Sequence, residues 1–318
     1  MKISLITPAK KQARNGNRAT ALRWARFLRK LGHRVNIDIE YTGENTDLMI
    51  AIHAWRSADS ILRYRGKYKN GPIILCLGGT DVNTFLKTET ETTIRSIEMA
   101  DVLICLHELI YESLPKIFRT KLYLVRQSAL PLPCPRRPSY NHFDICVIGH
   151  LRDEKDPFRT AFATKRLPIT SKIRVIHLGK AHTPKFAQKA VKEMEVNHRY
   201  QWIGDVPRWR VRREFIKTRL MVISSLQEGG ANVVSEAIVA GVPIIASKIP
   251  GNVGLLGTDY PGYYPVANEN KLAKLLERVE EDPEFIKILE KHIQQIRPKF
   301  EATREQAMLK KLVNLVSN

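Results

Sequence analysis

The sequence lacks the features that would place it in a membrane or in a disulfide-rich secreted class. No apolar run approaches the roughly 18 residues that a membrane-spanning helix needs, and the opening stretch 1–8 has only a strand-sized apolar run. Cysteine is scarce, and three of the four residues lie in apolar, strand-like runs. We therefore expect no signal peptide, membrane anchor, disulfide framework or zinc site, and a reducing cytoplasmic environment. The cysteines are Cys76, Cys105, Cys134 and Cys146.

Acidic residues are few relative to basic ones. The 318 residues include 52 Lys and Arg against 32 Asp and Glu, a net charge of +20. Such an excess suggests nucleic acid, an anionic membrane surface or an anionic substrate. The excess is spread evenly, because residues 1–135 carry 21 basic against 12 acidic residues and the remainder carries 31 against 20. Without a basic stripe, an RNA-recognition signature or zinc-finger spacing, we expect mostly solvated surface charge and no nucleic-acid partner.

The apolar runs of the first half alternate with helical patterns. Such alternation predicts parallel strands joined by right-handed crossovers, in a doubly wound α/β architecture. In the first helix we expect an apolar stripe of Leu22, Phe27, Leu28 and Leu31. The expected strands are Lys2–Thr7, His33–Ile39, Leu48–Ile52, Ile73–Leu77, Val102–Leu106 and Lys121–Arg126, and the expected helices are Ala19–Leu31, Ser57–Arg65 and Thr92–Met99.

A proline-rich stretch, 131–138, divides the chain. It can form neither a helix nor a central strand, so we expect a linker between an N-terminal domain, 1–130, and a second doubly wound domain, 139–298. The helical tail 299–318 is expected to pack back on the first domain. Two such domains would face a shared cleft with the carboxyl ends of their strands. Strands of the second domain are expected at Phe143–Ile148, Ile173–Leu178, Tyr200–Ile203, Leu220–Ser224 and Pro243–Ser247.

The most informative segment joins the strand Leu220–Ser224 to a helix that is expected to begin near Asn232. Between them lie Gly229 and Gly230, which let a diphosphate approach the backbone N–H groups and the positive end of the helix. Glu228 precedes this turn, and Glu236 follows about one turn inside the helix. Either carboxylate can accept hydrogen bonds from hydroxyl groups. Phosphate, ribose and sugar could be bound together here.

This segment resembles the donor signature of the family 4 retaining glycosyltransferases of GT-B fold, two glutamates separated by seven residues. The resemblance implies two Rossmann-like domains and a nucleotide-sugar donor, with no metal or cofactor. It assigns the donor sugar and diphosphate to Glu228 with the backbone of Gly229, Gly230, Ala231 and Asn232. It assigns the ribose hydroxyls to Glu236.

A second match to the family opens the second domain. In the family a strand ends in glycine, here Gly149, and an arginine and a lysine follow to neutralise the leaving diphosphate. Lys155 occupies the lysine position, whereas the arginine position holds His150 and Arg152 follows two residues later. Which of these cations meets the diphosphate is therefore left open. Gly179 and Ile203 lie at strand ends. In members of the family, residues at these positions line the nucleobase pocket.

The chain also resembles a narrow group, the selenosugar synthases of the selenoneine pathway. This resemblance implies transfer of N-acetylglucosamine or glucose from its UDP form to the selenium of selenophosphate, with loss of phosphate to leave a selenosugar. The likeness spans nearly the full length. Its segments are Lys10–Leu31, His53–Ala58, Gly79–Asp81, Gln127–Ser128, Gly149–Arg152, Lys155–Arg159, Glu228–Glu236 and Ile249–Tyr263.

An anionic acceptor could bind in the first domain. The loop after the first strand opens a helix and carries several cations, so its amides could cradle a small dianion such as selenophosphate. Polar residues that follow the next strands should reach the same sheet edge. We expect catalytic roles for His53 and Asp81 beside Glu228, Arg152 and Lys155. The expected acceptor-binding residues are Asn15, Gly16, Asn17, Arg18, Thr20, Arg56, Thr80, Gln127 and Ser128.

Two alternatives stay open from the sequence. The first is an O-glycosyltransferase that builds a glycolipid or polysaccharide at an anionic membrane face. The second is a basic RNA-binding or phosphate-binding module on a doubly wound scaffold, against which the donor signature argues.

Many family 4 enzymes carry a histidine where this chain has Gly79–Asp81, and a selenium nucleophile needs little help from a base. The oligomeric state is not determined by any of these patterns.

Overall fold

Two parallel sheets of six strands organise the chain in the computed structural model, which describes residues 1–317. The contacts divide the chain into two units. The first contains Met1–Ser128, the short segment Gly229–Asn232 and the chain from Glu301 onward, and the second contains Ala129–Glu228 and Val233–Phe300. Residues 131–138 form neither helix nor strand.

In the first unit the strand order is β2-β1-β3-β4-β5-β6, with every pair parallel. The chain runs outward from β1 to β2 and then returns to the other side of β1, so the order reverses between β1 and β3. The strands are β1 Lys2–Ile6, β2 Arg34–Asp38, β3 Leu48–Ile52, β4 Ile73–Cys76, β5 Val102–Cys105 and β6 Leu122–Leu124, and the helices are α1 Gly16–Lys30, α2 Ala58–Lys67, α3 Leu86–Thr88, α4 Thr90–Met99 and α5 Ile110–Ser113.

Both faces of this sheet are buried. Ile50 packs with α1 on one face, whereas Met49 and Ala51 pack with Ile61 of α2 on the other, as expected from the alternation of side chains along a strand. The central strands β3, β4 and β5 are therefore wholly apolar, whereas the edge strand β2 carries polar residues. Short helical turns also occur between the main elements: a π-helical turn at Asp81–Phe85 and 3-10 turns at Lys116–Lys121 and, in the second unit, at Asp153–Lys155.

The second unit has the order β12-β11-β10-β7-β8-β9, again with every pair parallel. Here the chain order reverses between β7 and β10. The strands are β7 Phe143–Ile148, β8 Ile173–Leu178, β9 Tyr200–Gly204, β10 Leu220–Ile223, β11 Ile244–Ser247 and β12 Tyr263–Tyr264, and the helices are α6 Arg159–Thr164, α7 Pro184–Val196, α8 Arg208–Lys217, α9 Asn232–Ala240, α10 Pro250–Leu256, α11 Glu269–Glu281 and α12 Pro283–Ile296.

After a 3-10 turn at Arg297–Phe300, the C-terminal helix α13, Ala302–Ser317, packs within the first unit. Leu309, Leu312 and Val313 share a buried apolar cluster with Trp24 of α1. Throughout residues 1–317, no helix has the length and apolar character needed to cross a membrane.

The structure corrects two details of α1. The helix begins at Gly16 instead of Ala19, because Asn15 caps it through a hydrogen bond from the Arg18 N–H to the Asn15 Oδ1 (3.0 Å). Leu22 is half exposed and does not belong to the buried stripe. The buried stripe of α1 lies on the neighbouring side of the helix from Leu22. It consists of Ala21, Trp24, Ala25, Phe27 and Leu28.

Candidate active site

In the second unit, a lysine and a glutamate meet where the strand order reverses. Lys155 Nζ donates a hydrogen bond to Glu228 Oε1, and Ser225 Oγ donates to the same oxygen at 2.6 Å. A small pocket beside them is lined by the ends of β7 and β10, including Gly149 and Ser224. Crevices at such reversal points are where doubly wound sheets bind ligands.

Backbone contacts tie the two loops of this site together. Ser224 Oγ donates to the carbonyl oxygens of Lys155 (3.1 Å) and Asp156 (2.8 Å). The Leu226 N–H donates to the Glu154 carbonyl at 2.9 Å. The loop after β7 and the loop after β10 therefore hold Lys155 against Glu228.

A third loop supports Glu228 from the side of β11 and α10. A Cβ on Gly251 would lie 2.4 Å from the Glu228 carbonyl oxygen, so only glycine fits there. Ser247 Oγ donates to the Ser225 carbonyl (2.6 Å), and Asn252 Nδ2 donates to the Ser247 carbonyl (2.9 Å). Sequence reasoning marked 249–263 only by its resemblance and missed this support for the Glu228 loop.

A buried histidine fixes the glycine at the end of β7. His177 of β8 lies 3.0 Å from the Gly149 carbonyl through Nε2 and 2.9 Å from the Tyr200 hydroxyl through Nδ1. Burial lowers the pKa of His177 to about 4, so the ring is neutral near pH 7. Because a carbonyl only accepts, Nε2 carries the proton and Nδ1 accepts from the Tyr200 hydroxyl.

Gly179, at the end of β8, is required by a close backbone approach. A Cβ at this position would lie 1.9 Å from the Gly149 carbonyl oxygen. Trp202 Nε1 donates to the Gly179 carbonyl at 2.8 Å. The predicted nucleobase position Ile203 has a side chain that is about one third exposed.

On α9, Glu236 lies one turn beyond the helix start. Its Oε1 accepts a hydrogen bond from Arg208 Nη2 at 3.0 Å. Because Arg208 is nearly half exposed, this pair contributes little to stability and can exchange partners. Sequence reasoning did not identify Arg208, since nothing in the chain between the two residues marks the pairing.

The other two predicted cations of this unit have different partners from Lys155. Arg152 Nε lies 3.7 Å from Glu154 Oε2, and His150 Nδ1 accepts a hydrogen bond from the Lys180 N–H at 3.1 Å. Lys155 is thus the predicted cation that the structure brings to Glu228.

The segment Gly229–Asn232 makes its close contacts within the first unit. A Cβ on Gly229 would lie 2.2 Å from the Gly79 nitrogen, and one on Gly230, where φ is +121°, would lie 2.5 Å from Leu106 Cβ. Ala231 is buried. Both glycines are therefore required by space, and Gly230 also by its backbone conformation.

Asn232 is bound through its side chain. Its Oδ1 accepts from Arg23 Nη1 at 2.9 Å, and its Nδ2 donates to the Gly16 carbonyl and to Thr20 Oγ1, each at 3.3 Å. Glu305 of α13 in turn accepts from Arg23 Nε at 2.8 Å. Sequence reasoning placed Asn232 at the donor by its backbone and missed both Arg23 and Glu305, since residues 282 positions apart show no local pattern.

A histidine and an aspartate meet after β3 and β4 of the first unit. His53, in the left-handed region at φ +83°, has Nδ1 2.6 Å from Asp81 Oδ1 and Nε2 2.7 Å from Thr80 Oγ1. The fully buried Asp81 carboxylate also accepts from the backbone N–H groups of Ala54 and Gly78. Asp81 therefore fixes the histidine ring and the loop that carries it.

The remaining predicted acceptor residues surround the start of α1. Arg18 is buried, and its Nε has no hydrogen-bond partner in the described chain. Gln127 Nε2 donates to Thr20 Oγ1 at 2.6 Å. The Ser128 N–H donates to Glu305, so Ser128 belongs to the same network as Arg23. Gly16 and Arg56 are exposed, and Asn17 is half-buried.

Within residues 1–317, no group of three or more His, Cys, Asp or Glu side chains is placed to hold a metal ion. Among the titratable groups that the described structure brings together are the Lys155–Glu228 pair in one unit and, in the other, the buried pairs His53–Asp81 and Arg23–Glu305. These groups suit a polar, phosphorylated ligand better than an apolar one.

Two doubly wound, Rossmann-like domains are the architecture of the GT-B fold, and solved glycosyltransferases share it. Sucrose-phosphate synthase from Thermosynechococcus elongatus superposes with a TM-score of 0.85 over 99% of both chains at 14% identity. HepE from Anabaena, in complex with UDP and glucose, gives 0.77 over 99% of both chains at 13% identity. These comparisons confirm the predicted fold class.

The family follows from the sequence comparison. The family of group 1 glycosyl transferases matches residues 138–297, which is half of the chain. The glycosyltransferase 1 domain-containing protein 1 of Xenopus tropicalis is 23% identical over 301 residues, 86% of each chain. The protein belongs to the group 1 glycosyl transferases, and its activity is the transfer of a sugar from a nucleotide-sugar donor.

Proposed function

We propose that this glycosyltransferase moves N-acetylglucosamine or glucose from its UDP form to the selenium of selenophosphate. The selenium forms a bond to the anomeric carbon as the bond from that carbon to UDP breaks. Water then cleaves the phosphorus–selenium bond, which releases phosphate and leaves a selenosugar. The product would enter the selenoneine pathway that the sequence resemblance implies.

The observation that carries the donor assignment is the cluster of Lys155, Glu228 and Ser225 at the reversal between β7 and β10. A cation there can neutralise the charge that develops on the departing diphosphate. A carboxylate beside it can accept hydrogen bonds from sugar hydroxyls. The donor's phosphates would replace Glu228 as the partner of Lys155, which frees the carboxylate for the sugar.

The α9 segment supports the same donor. The first turn of α9 has N–H groups without intrahelical partners, which favours a phosphate. Glu236 lies one turn further, where its exposed pair with Arg208 can give way to the ribose hydroxyls. The HepE structures contain UDP, which supports a uridine nucleotide for a chain of the same fold.

For the acceptor, support comes from the start of α1 and from the sequence resemblance. Asn15 caps the helix, and the buried Arg18 has an Nε without a hydrogen-bond partner among the described residues, so the neighbourhood favours a small dianion. Selenophosphate is such a dianion, and its selenium needs little help from a base. We also propose that the reaction takes place in the cytoplasm without metal or cofactor, so EDTA should leave the rate unchanged.

A competition between acceptors tests this proposal. The purified protein is incubated with UDP-N-acetylglucosamine or UDP-glucose and, in parallel, with selenophosphate, thiophosphate or inorganic phosphate, and UDP release is followed. The proposal expects the fastest release with selenophosphate. Equal rates with all three acceptors, or release that occurs only with a hydroxyl acceptor, would contradict it.

The pair of His53 and Asp81 favours a second candidate, an O-glycosyltransferase for a hydroxyl acceptor. Asp81 holds the imidazole in one tautomer, with Nε2 directed to the Thr80 hydroxyl, and such a histidine can accept a proton from an alcohol. A His53→Gln variant separates the candidates. It should strongly reduce transfer to a hydroxyl but leave transfer to selenophosphate within a few-fold of wild type.

A further inference from the structure

A buried hydrogen-bonded chain runs from the C-terminal helix to the first residue of α9, all within the first unit. Glu305 of α13 is 2% exposed and accepts from both Arg23 Nε and Trp24 Nε1, the latter at 2.7 Å. The Oε2 that accepts from Arg23 also accepts from the Ser128 N–H and hydroxyl, whereas Oε1 accepts from Trp24. The glutamate is therefore held by two other segments of the chain, α1 and the segment at Ser128.

Arg23 links Glu305 to Asn232. Its guanidinium binds Glu305 through Nε and Asn232 through Nη1, at 2.8 Å and 2.9 Å. Arg23 is only 6% exposed, and its Nη2 has no hydrogen-bond partner in the described residues. A buried ion pair gives little net stability, and an unpartnered donor lowers it further. The arrangement is thus poorly explained by stability alone.

Asn232 is the residue on which the chain of contacts ends. Its amide is used at both atoms, since Oδ1 accepts from Arg23 and Nδ2 donates to Gly16 and Thr20. Gly16 allows this approach, because a Cβ there would lie 3.3 Å from Asn232 Nδ2, closer than most such contacts. An asparagine held by three partners has one orientation, and so does the backbone that carries it.

We propose that Glu305 and Arg23 are a positioning pair that fixes Asn232, and with it the backbone N–H groups at the start of α9, in the orientation that binds the donor's diphosphate. The inference rests on the proposed donor site. It assigns to Glu305 of α13 an indirect part in donor binding, exerted through Arg23 and Asn232. Glu305 holds the guanidinium in one orientation, and Arg23 transmits this orientation to Asn232.

A double-mutant cycle tests the relay, with the dissociation constant of UDP measured by calorimetry as the readout. Arg23→Met and Asn232→Ala should each raise that constant about tenfold, by loss of a charge-assisted hydrogen bond that orders the site. If Arg23 acts through Asn232, the double variant should bind UDP no more weakly than Asn232→Ala alone. Losses that multiply in the double variant would overturn the relay.

Glu305→Gln extends the test, with Arg23→Lys as a second variant in case the first is poorly folded. Both should weaken UDP binding about tenfold even where the melting temperature is close to that of wild type. The matched control is Glu193→Gln, which removes another buried carboxylate that binds a lysine and an asparagine in the second unit. It should change the melting temperature but not the UDP affinity.

The outcomes separate the two levels of the proposal. A wild-type protein that binds UDP, with variants that bind it equally well, would refute the positioning pair and leave the donor assignment standing. A wild-type protein that does not bind UDP at all would refute the donor assignment and the inference with it.

Discussion

Glu228 and Glu236 have different partners, and this difference predicts different effects of their loss. Glu228 lies against Lys155 and Ser225, where the sugar and the leaving phosphate are proposed to meet, so Glu228→Gln should reduce kcat about 100-fold with a smaller effect on UDP affinity. Glu236→Ala should instead raise the UDP dissociation constant about tenfold. Steady-state kinetics and calorimetry measure the two effects.

The exposed Glu195 on α7 of the same unit provides the control. Glu195→Ala should match wild type in both measurements. Full activity in the Glu228 and Glu236 variants would remove the donor site from this part of the chain.

The glycine at the end of β8 predicts an effect on stability. Because a Cβ on Gly179 would lie 1.9 Å from the Gly149 carbonyl, Gly179→Ala must displace backbone and should lower the free energy of unfolding by about 2 kcal/mol. A Cβ on Gly66 of α2 would meet no atom of residues 1–317 within 4 Å, so Gly66→Ala should be neutral or stabilising. Urea unfolding of both variants measures the difference, and equal effects would contradict this account of Gly179.

At the scale of single residues, the sequence predicted those that lie beside a distinctive local pattern. Glu228 was singled out because a strand precedes it and two glycines follow it, and Lys155 because it occupies the family's lysine position; the donor roles of both residues stay predictions. Arg23 and Glu305 were missed since each looks like an ordinary charged residue of an amphipathic helix. Their burial depends on α13 packing against α1, which no local pattern reveals.

At the scale of elements, His177 of β8 contacts the ends of the neighbouring strands β7 and β9. Its burial predicts that the free energy of unfolding depends on pH. Burial lowers the pKa of His177 to about 4 in the folded chain, whereas an unfolded histidine titrates near 6.5. As pH falls, His177 is therefore protonated in the unfolded chain at a higher pH than in the folded chain. Stability from this group is complete above about pH 6.5 and is lost as pH falls toward 4, by about 2 kcal/mol at pH 4.5.

Urea unfolding at pH 7.5 and 4.5 measures this loss. His177→Gln should reduce the difference between the two pH values by about 2 kcal/mol, because its side chain does not titrate. His142→Gln, at an exposed histidine, should leave the difference as in wild type. A variant at His177 that kept the full pH dependence would contradict the assignment.

The C-terminal helix offers a matched pair of leucines. Leu312 is fully buried in the cluster with Trp24, whereas Leu315 of the same helix is half exposed. Leu312→Ala should cost about 3 kcal/mol of unfolding free energy, from lost burial and the cavity left behind. Leu315→Ala should cost about 0.5 kcal/mol or less. Thermal and urea unfolding measure both, and similar losses would show that α13 is not docked through this face.

At the scale of elements, the sequence predicted strands better than their arrangement. Buried parallel strands are continuous apolar runs, so Leu48–Ile52, Phe143–Ile148 and Ile173–Leu178 were placed at their observed bounds. The start of α1 was placed three residues late, because Asn15 caps the helix ahead of its apolar residues. The two strand orders depend on which side of β1 or β7 the returning chain pairs, and the sequence alone does not specify this.

At the scale of the whole molecule, each sheet reverses its order once, and the Lys155–Glu228 pair lies at the reversal of the second sheet. The predicted GT-B fold is confirmed by structures that share it along 99% of the chain at 13–14% identity. The acceptor stays a prediction, because a fold shared by many glycosyltransferases does not specify what receives the sugar.

The most direct measurement follows both products of one reaction. The protein is incubated with UDP-N-acetylglucosamine and selenophosphate. UDP and inorganic phosphate are quantified in the same sample, and the mass of the sugar product is measured by mass spectrometry. The account predicts equal amounts of UDP and phosphate above the background of selenophosphate alone, and a sugar with the isotope pattern of selenium. UDP release without a selenium-containing sugar would contradict it.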